Sequence, residues 1–297
     1  MTFFSIIIPT YNRKDFIVEA IHTVLQQTYP HFEVIVIDDG STDNTKQVIE
    51  TRFGMHSQVR YYYRENHERG ASRNFGMREA KGNYAVFFDS DDWMKPHYLE
   101  TLNKVIEENP GIFMLAAKYN FNSGEKKDLP STLHHIAEGW YDRFFFLKGN
   151  KLAINYCIRI DTRSFHEFPE DRDLVPMEDW LFLLMNLENE KIFIRDKICL
   201  TMREHAERSM SDNQKVISAR IKATAWLLDR LILNRDEKKT LLAWSYYFCG
   251  IHHYLDHNRN ASIRETLKAI KLDGPNIKFL MLLTKSILGR RFIKMIK

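Results

Sequence analysis

The sequence predicts an α/β protein, with a mostly parallel central sheet flanked by helices and a C-terminal all-helical extension. Three observations carry this expectation. Apolar runs of strand length alternate with helix-period segments over the first 120 residues. Two of those runs stop abruptly in acid clusters, Asp38-Asp39 and Asp89-Ser90-Asp91-Asp92, at the strand ends where α/β sheets bind ligands. Beyond about residue 211 only helical stripes remain.

The elements follow in order. Phe3 to Ile8 is a continuous apolar run, stopped by Pro9. Ile17, Ala20, Ile21, Val24 and Leu25 recur at helical spacing. Glu33 to Ile37 reads as a second strand and Asp43 to Arg52 as a short helix. Val59 to Tyr63 is a third strand. Ala71 to Ala80 fits a helix closed by Lys81-Gly82-Asn83. Tyr84 to Phe88 is a fourth strand, Pro96 to Glu108 a helix with proline near its first turn, and Ile112 to Ala117 a fifth strand. Residues 120 to 175 are irregular and aromatic, with Trp140, Tyr141, Phe144, Phe145 and Phe146; a long irregular segment inside a compact domain is usually functional. Met177 to Leu187 then reads as a helix and Lys191 to Arg195 as a strand. The closing helices are a stripe of Val216, Ile217, Ile221, Ala225, Leu228 and Ile232, then Leu241 to Tyr254, Ala261 to Leu272 and Ile277 to Leu288.

Composition narrows the class. The 297 residues, 44% of them apolar, suit one large domain or two smaller ones. Cys157, Cys199 and Cys249 lack metal-ligand spacing and argue against a disulfide framework. No apolar stretch is long enough for a membrane-spanning helix, and Met1-Thr2-Phe3-Phe4-Ser5 reads as the approach to a strand, not as a leader. Net charge is +4. The excess sits in a tail without acids, at Lys278, Lys285, Arg290, Arg291, Lys294 and Lys297, and charge so confined argues against nucleic-acid binding. Ile287, Leu288, Phe292, Ile293 and Ile296 interleave with Arg290, Arg291, Lys294 and Lys297, which suits an anionic membrane surface. A solvated last helix with one packed face is the plainer alternative.

The chemistry concentrates at strand ends. Carboxylates repel one another and are costly to desolvate, so the cluster around Asp89, Asp91 and Asp92 calls for a cation. A magnesium or manganese ion bound through one or two carboxylates and substrate phosphates answers that demand. An extended backbone would place Asp89 and Asp91 on one side. At Asp38-Asp39 a carboxylate suits a ligand bearing ring N–H groups or ribose hydroxyls, since it only accepts hydrogen bonds; helix capping by Ser41 or Asp43 does not account for two adjacent acids. In Pro9-Thr10-Tyr11-Asn12, a strand-to-helix turn with Asn12 as an N-cap is the ordinary reading. Arg69 and Arg73 flank Gly70 at a predicted helix start, which suits a diphosphate or a solvated basic face. Glu178-Asp179 precedes the stripe Trp180, Leu184, Leu187 and offers first-turn acids or a general base. His205 after a strand is structural or completes a metal site. Neither GxGxxG after the first strand nor GxxxxGK[ST] is present, against a dinucleotide Rossmann site and a P-loop.

Taken together, Ser5-Ile-Ile-Ile-Pro-Thr-Tyr-Asn-Arg13, Val36-Ile-Asp-Asp-Gly-Ser-Thr-Asp43, Gly70-Ala-Ser-Arg-Asn-Phe-Gly76, Gly82 through Asp92 and Glu178-Asp179 resemble the signature set of family 2 glycosyltransferases of the GT-A fold, over about residues 3 to 210. The resemblance implies a nucleotide-sugar donor, a divalent metal (Mn2+ or Mg2+) and transfer with inversion. It implies a pocket lined by Pro9, Thr10 and Tyr11, with Asp39 on the base ring, most readily a uracil N3–H. Arg69 and Arg73 lie in the donor segment. Asp89, with Ser90, faces the ribose or sugar. Asp91 binds the metal, Asp92 is able to share it, His205 is a further metal or diphosphate contact, and Asp179 is the catalytic base. Residues 1 to 210 would then be the catalytic domain, 1 to 120 its nucleotide-binding half and 120 to 210 its acceptor-side half, with 211 to 297 a helical region. The expected acceptor is a glycan or lipid-linked saccharide in cell-surface polysaccharide or glycoconjugate synthesis, and the expected location cytoplasmic, at most peripheral to the membrane. A nucleotidyltransferase would carry a Gly-rich basic loop after the first strand, where this chain has Pro9-Thr10-Tyr11-Asn12. A non-catalytic nucleotide-sugar-binding subunit would not need Asp91 and Asp179.

Overall fold

A computed structural model describes residues 1–122, 128–161, 164–205 and 212–296, with side chains through residue 289. The tail residues Arg290, Arg291, Phe292, Ile293, Lys294, Ile296 and Lys297 therefore lie outside the described side chains. The chain divides into two compact units. The first comprises Met1–Asp142, Lys151–Glu170 and Asn189–His205; the second comprises Arg143–Asn150, Asp171–Glu188 and Ala206–Lys297.

The first unit holds a ten-stranded sheet. Its strands are β1 (Phe4–Thr10), β2 (Phe32–Asp38), β3 (Val59–Tyr63), β4 (Tyr84–Phe87), β5 (Trp93–Met94), β6 (Met114–Asn122), β7 (Leu129–Pro130), β8 (Gly139–Tyr141), β9 (Cys157–Arg159) and β10 (Ile192–Arg203). The order is β3-β2-β1-β4-β9-β6-β10-β5, with β7 on β6 and β8 on β10. The first four strands run parallel. The helices α1 (Lys14–Leu25), α2 (Thr45–Phe53) and α3 (Glu68–Glu79) connect them. Every residue of β1 and β2 is buried, as expected for parallel strands covered on both faces, which read as unbroken apolar runs. Between β4 and β6 the three-residue β9 runs antiparallel to both, and α4 (Tyr98–Glu108) precedes β6.

The short strands β5, β7, β8 and β9 lie outside the sequence expectation, and β6 and β10 run past the ends expected for them. β9 is too short to show periodicity. β10 continues to Arg203, because a register irregularity carries the pairing past the charged Arg195-Asp196-Lys197; read as a simple alternation, those charges end the strand. Pairing with a bulge keeps it going.

Gly76 fixes how closely α3 approaches the sheet. A Cβ there would lie 2.4 Å from Ile7 Cγ2 and 3.0 Å from Ile37 Cδ1, inside a core without slack. Gly76→Val is expected to cost about 1–3 kcal/mol or more by overpacking, read as a lowered midpoint in thermal or urea unfolding. A midpoint unchanged from the parent would show that α3 shifts freely.

The second unit is helical: α5 (Arg143–Leu147), α6 (Glu178–Asn186), α7 (Asn213–Arg230), α8 (Arg235–Leu255), α9 (Arg259–Asp273) and α10 (Ile277–Ile296). Asp212 caps α7, and Asn234 with Glu237 forms a capping box at α8, satisfying backbone N–H groups that lack helical partners. Arg143 on α5 donates to the Glu237 carboxylate at 2.8 Å. Trp244 and Ala243 on α8 meet Ala269 on α9 and Phe279 on α10 in one cluster. The stripe predicted for α7 is partly wrong. Ile221 and Ile232 are 58% and 86% exposed, and Ile232 falls beyond the helix end. The buried face is instead Val216, Ile217, Ala219, Arg220, Ala223, Thr224 and Leu227.

Candidate active site

In the first unit the residues at the ends of β1, β2 and β4 come together. These strands are parallel neighbours, with β1 in the middle, so their carboxyl ends open on one side of the sheet, where α/β folds bind ligands.

At the end of β2 the two acids divide their work. Asp38 is fully buried; its Oδ1 accepts from Ser41 N at 2.8 Å and its Oδ2 from the Tyr61 hydroxyl at 2.7 Å. Burial, together with this bond, pushes the Tyr61 hydroxyl well above its ordinary pKa. Asp38 therefore shapes the turn. Asp39 is buried too, yet only its Oδ1 is engaged, by His67 N and Ser72 Oγ, both at 3.0 Å. Its Oδ2 accepts nothing among the described residues and remains able to accept from a ligand.

At the end of β1, the Thr10 carbonyl accepts from Asp39 N at 2.8 Å. Its buried Oγ1 has no hydrogen-bond partner among the described residues, which marks a position where a ligand or water is expected. Tyr11 is 47% exposed. Asn12 does not cap α1, whose N-cap is Arg13. Its φ is +50°, and its Oδ1 instead accepts from Thr42 N at 2.8 Å and Asp43 N at 3.3 Å, tying the β1 loop to the β2 loop. Asp43 accepts from Thr45 N at 3.0 Å and from Lys14 N at the start of α1 at 3.4 Å, a second tie between the two loops.

The cluster after β4 does not stay extended. The strand ends at Phe87, and a turn brings Asp92 N to Asp89 O at 3.3 Å. Folding the backbone back, not alternating it, gathers the acids: Asp89, Asp91 and Asp92 each present an oxygen within 4.8 Å of the others. Three hard oxygen donors fit a divalent cation of the magnesium or manganese type. Cations of the chain surround them. Arg73 Nη2 donates to Asp89 Oδ1 at 2.9 Å. Asp91 Oδ2 lies 2.8 Å from His205 Nε2 and 3.9 Å from Arg13 Nη2. Asp92 Oδ1 accepts from Arg203 N at 3.0 Å. His205 thus joins the acid cluster, and its buried Nδ1 has no hydrogen-bond partner among the described residues. Ser90 is 6% exposed.

The solvated basic face weighed for α3 is overturned. Arg73 is 1% exposed, its guanidinium 5.4 Å from the Phe168 ring, and Ser72 and Asn74 are fully buried. Gly70 lies inside the helix, where a Cβ would come 2.7 Å from Pro169 O. Arg69 is half-buried beside it. The outcome is a helix that serves two loops at once, with Ser72 on Asp39 and Arg73 on Asp89.

Arg203 was not among the sequence candidates, although it belongs to this cluster. Its guanidinium lies 4.8 Å from the rings of both Phe16 and Trp93. Nε donates to the Asp91 carbonyl at 2.5 Å and Nη1 to Glu19 at 2.6 Å. It clamps the acid-bearing turn from behind, and only its position next to His205 could have hinted at this.

Asp179 belongs to the second unit. At the start of α6 its Oδ1 accepts from Trp180 N at 2.6 Å and its Oδ2 from Asn150 Nδ2 at 2.9 Å. Trp180 anchors that end of α6: its Nε1 donates to Phe146 O at 2.8 Å, and the Arg220 guanidinium stacks on its ring at 3.5 Å. Burial pushes Arg220 down to about 9. Glu178 is 2% exposed, whereas Asp179 is partly accessible.

Residues 5–168 match the model of Glycosyl transferase family 2. Glycosyltransferase GlyA of Streptococcus pneumoniae is 31% identical over 141 residues, which is 48% of this chain and 20% of that protein. GlyG of the same organism is 34% identical over 41% of this chain and 40% of its own length. The chain therefore spans well under half the length of these relatives. The putative teichuronic acid biosynthesis glycosyltransferase TuaG of Bacillus subtilis is 32% identical over 61% of this chain and 71% of its own. Among solved structures, S. aureus TarS 1-349 in complex with UDP-GlcNAc superposes with a TM-score of 0.69 at 21% identity, over 98% of this chain and 88% of that one. Mannosyltransferase PcManGT from Pyrobaculum calidifontis, in complex with GDP-Man and Mn2+, gives 0.63 at 15% identity over 99% and 83%. At such identities the structures speak for the fold.

Proposed function

The chain belongs to glycosyl transferase family 2, and from that premise we propose that it moves a sugar from a UDP-sugar to a hydroxyl of a glycan or lipid-linked saccharide, with inversion at the anomeric carbon. The observation that carries this reading is the double hold of α3, in which adjacent side chains fix Asp39 after β2 and Asp89 after β4. A nucleotide sugar needs hydrogen-bond acceptors for its base and for its ribose or sugar hydroxyls, and α3 holds Asp39 and Asp89 for both in one frame.

In this proposal Asp39 Oδ2 accepts the uracil N3–H. Pro9, Thr10 and Tyr11 line the base and ribose pocket, and the unpartnered Thr10 hydroxyl gains a ligand bond. Asp89 and Ser90 meet the ribose or sugar. Arg69 lies beside the diphosphate, while Arg73 acts through Asp89. Asp91 and His205, with Asp92 able to share, hold a manganese or magnesium ion. Such an ion, when bound, neutralises the charge that grows on the departing diphosphate. Asp179 takes the proton of the acceptor hydroxyl as its oxygen attacks the anomeric carbon; the bond from that carbon to the diphosphate breaks, and its electron pair leaves with the diphosphate. No side chain acts as a nucleophile. Residues 1 to 210 constitute the catalytic portion, including the α6 segment that carries Asp179, and 211 to 297 the helical region. A place in cell-surface polysaccharide or glycoconjugate synthesis, at the cytoplasmic face of the membrane, fits a lipid-linked acceptor. Among the described residues no helix is long and apolar enough to cross a membrane.

A panel of nucleotide sugars with manganese tests this reading. One donor, expected to be a UDP-sugar, should bind and slowly hydrolyse to nucleoside diphosphate and free sugar. Pyrophosphate release from a nucleoside triphosphate and a sugar 1-phosphate, with no nucleotide sugar hydrolysed, would make the chain a nucleotidyltransferase instead.

A further inference from the structure

In the second unit, α10 is apolar on both sides. Phe279, Leu282 and Ser286 are buried, and they lie on one face at helical spacing. On the opposite face Ile277, Leu280, Met281, Ile287 and Leu288 are 69%, 40%, 52%, 48% and 44% exposed. Exposed Thr284 interrupts this face, but a group of large exposed apolar side chains on one side of a helix marks an interaction surface. Lys278 and Lys285, both exposed, flank the apolar face at positions seven apart, the spacing that keeps two side chains on one side of a helix. No acidic residue occurs from Gly274 onward.

The preceding helix repeats this chemistry. On α9, Ile263 and Leu267 with Arg264, Lys268 and Lys271 line a groove of about 400 Å³. Its acids cancel only part of the charge: buried Glu265 pairs with Arg264 and Lys268 and offsets one of the three cations Arg264, Lys268 and Lys271, and Asp273 is paired with Lys239.

We propose that the exposed face of α10, with the basic and apolar surface of α9, docks the protein on an anionic lipid bilayer. Charge decides between occupants. A second copy of this chain in an isologous contact would set Lys278 and Lys285 against their own counterparts, with no acid on the face to compensate. An anionic leaflet supplies the opposite charge and an apolar boundary for Ile277, Leu280, Met281 and Leu288. The face lies on described residues and does not depend on the side chains beyond residue 289. It extends the proposed lipid-linked acceptor to the surface that carries one, yet vesicle binding needs neither donor nor metal. Failure of docking and failure of the transferase reading are therefore separable.

Co-sedimentation of the full chain with vesicles tests the proposal. The protein should pellet with vesicles of equal parts phosphatidylglycerol and phosphatidylcholine, stay in solution with phosphatidylcholine alone, and be released by added salt. Lys278→Gln with Lys285→Gln should weaken binding roughly 30-fold, at about fivefold per cation near an anionic surface. Leu280→Gln with Met281→Gln, both exposed and so without cost to the fold, should weaken it on the order of tenfold. A full chain that never pellets with the anionic vesicles, or that pellets equally well with both pairs of substitutions, overturns the proposal. So does a dimer in light scattering that the Leu280→Gln, Met281→Gln pair dissolves, since a second copy would then be the occupant.

Discussion

Asp91→Ala is expected to abolish manganese-stimulated donor binding and to lower transfer by roughly 100-fold or more. The magnitude follows from the charge argument: losing about 3 kcal/mol of stabilisation of a departing diphosphate is a factor of about 100. Asp91 is central because its carboxylate is shared. Oδ2 meets His205 Nε2 and Arg13, and its carbonyl is held by Arg203 Nε, so the side chain stays in place while the backbone behind it is fixed. Alanine removes the donor oxygen and leaves the clamp. Calorimetry of UDP binding with and without manganese reads the effect, and circular dichroism confirms that the fold survives. The manganese dependence of the variant should vanish. A variant that keeps it would move the metal to Asp89 and Asp92 alone. His205→Ala should fall between the parent and Asp91→Ala, because it removes one of the proposed ligands of the ion and leaves the Asp91 carboxylate, the harder oxygen donor, in place.

How much of this was legible in the sequence differs from residue to residue. The carboxylate cluster was legible because three acids directly after a buried apolar run have no packing explanation. Its geometry was not. Extended backbone would have separated the acids by alternation, and only the turn from Asp89 to Asp92 gathers all three. Asp38 and Asp39 look alike in sequence. They are told apart by Tyr61, a hydroxyl from the neighbouring strand that takes Asp38 and leaves Asp39 for a ligand, a choice that local pattern cannot contain. Arg73 read as a donor-side contact with a solvated cation as the alternative, because a helix surface is judged from periodicity; its burial arises from Phe168 and Asp89, one of them far along the chain. Arg203 reads as an ordinary cation at a strand end, and its clamp on the Asp91 carbonyl spans 112 positions. The parallel half of the fold was legible for the opposite reason. β1 and β2 are buried on both faces, and continuous burial leaves an unbroken apolar run. β9 and the far end of β10 depend on pairing partners, not on their own composition.

Asp179→Asn should reduce transfer by about 10²- to 10⁴-fold, the range of a lost general base, while donor affinity stays within about twofold of the parent, a change worth under about 0.5 kcal/mol. The substitution is nearly isosteric, and its hydrogen bonds can be kept. The asparagine Oδ1 accepts from Trp180 N as the aspartate does, and Asn150 can turn its amide to present an oxygen to the new Nδ2. Because Trp180 is anchored by Phe146 O and Arg220, the start of α6 should not move. The split between affinity and rate is what identifies a base. A group that touches only the acceptor proton changes the transfer step alone, whereas a donor ligand changes binding as well. Equal losses in donor affinity and in rate would therefore make Asp179 a donor contact. Its neighbour supplies the control. Glu178 is buried where Asp179 is accessible, so Glu178→Gln is expected to act on stability and to leave transfer by the folded enzyme within about tenfold. If Glu178→Gln instead removes transfer from a folded enzyme that still binds donor, the proton goes to Glu178 and the assignment of Asp179 is lost.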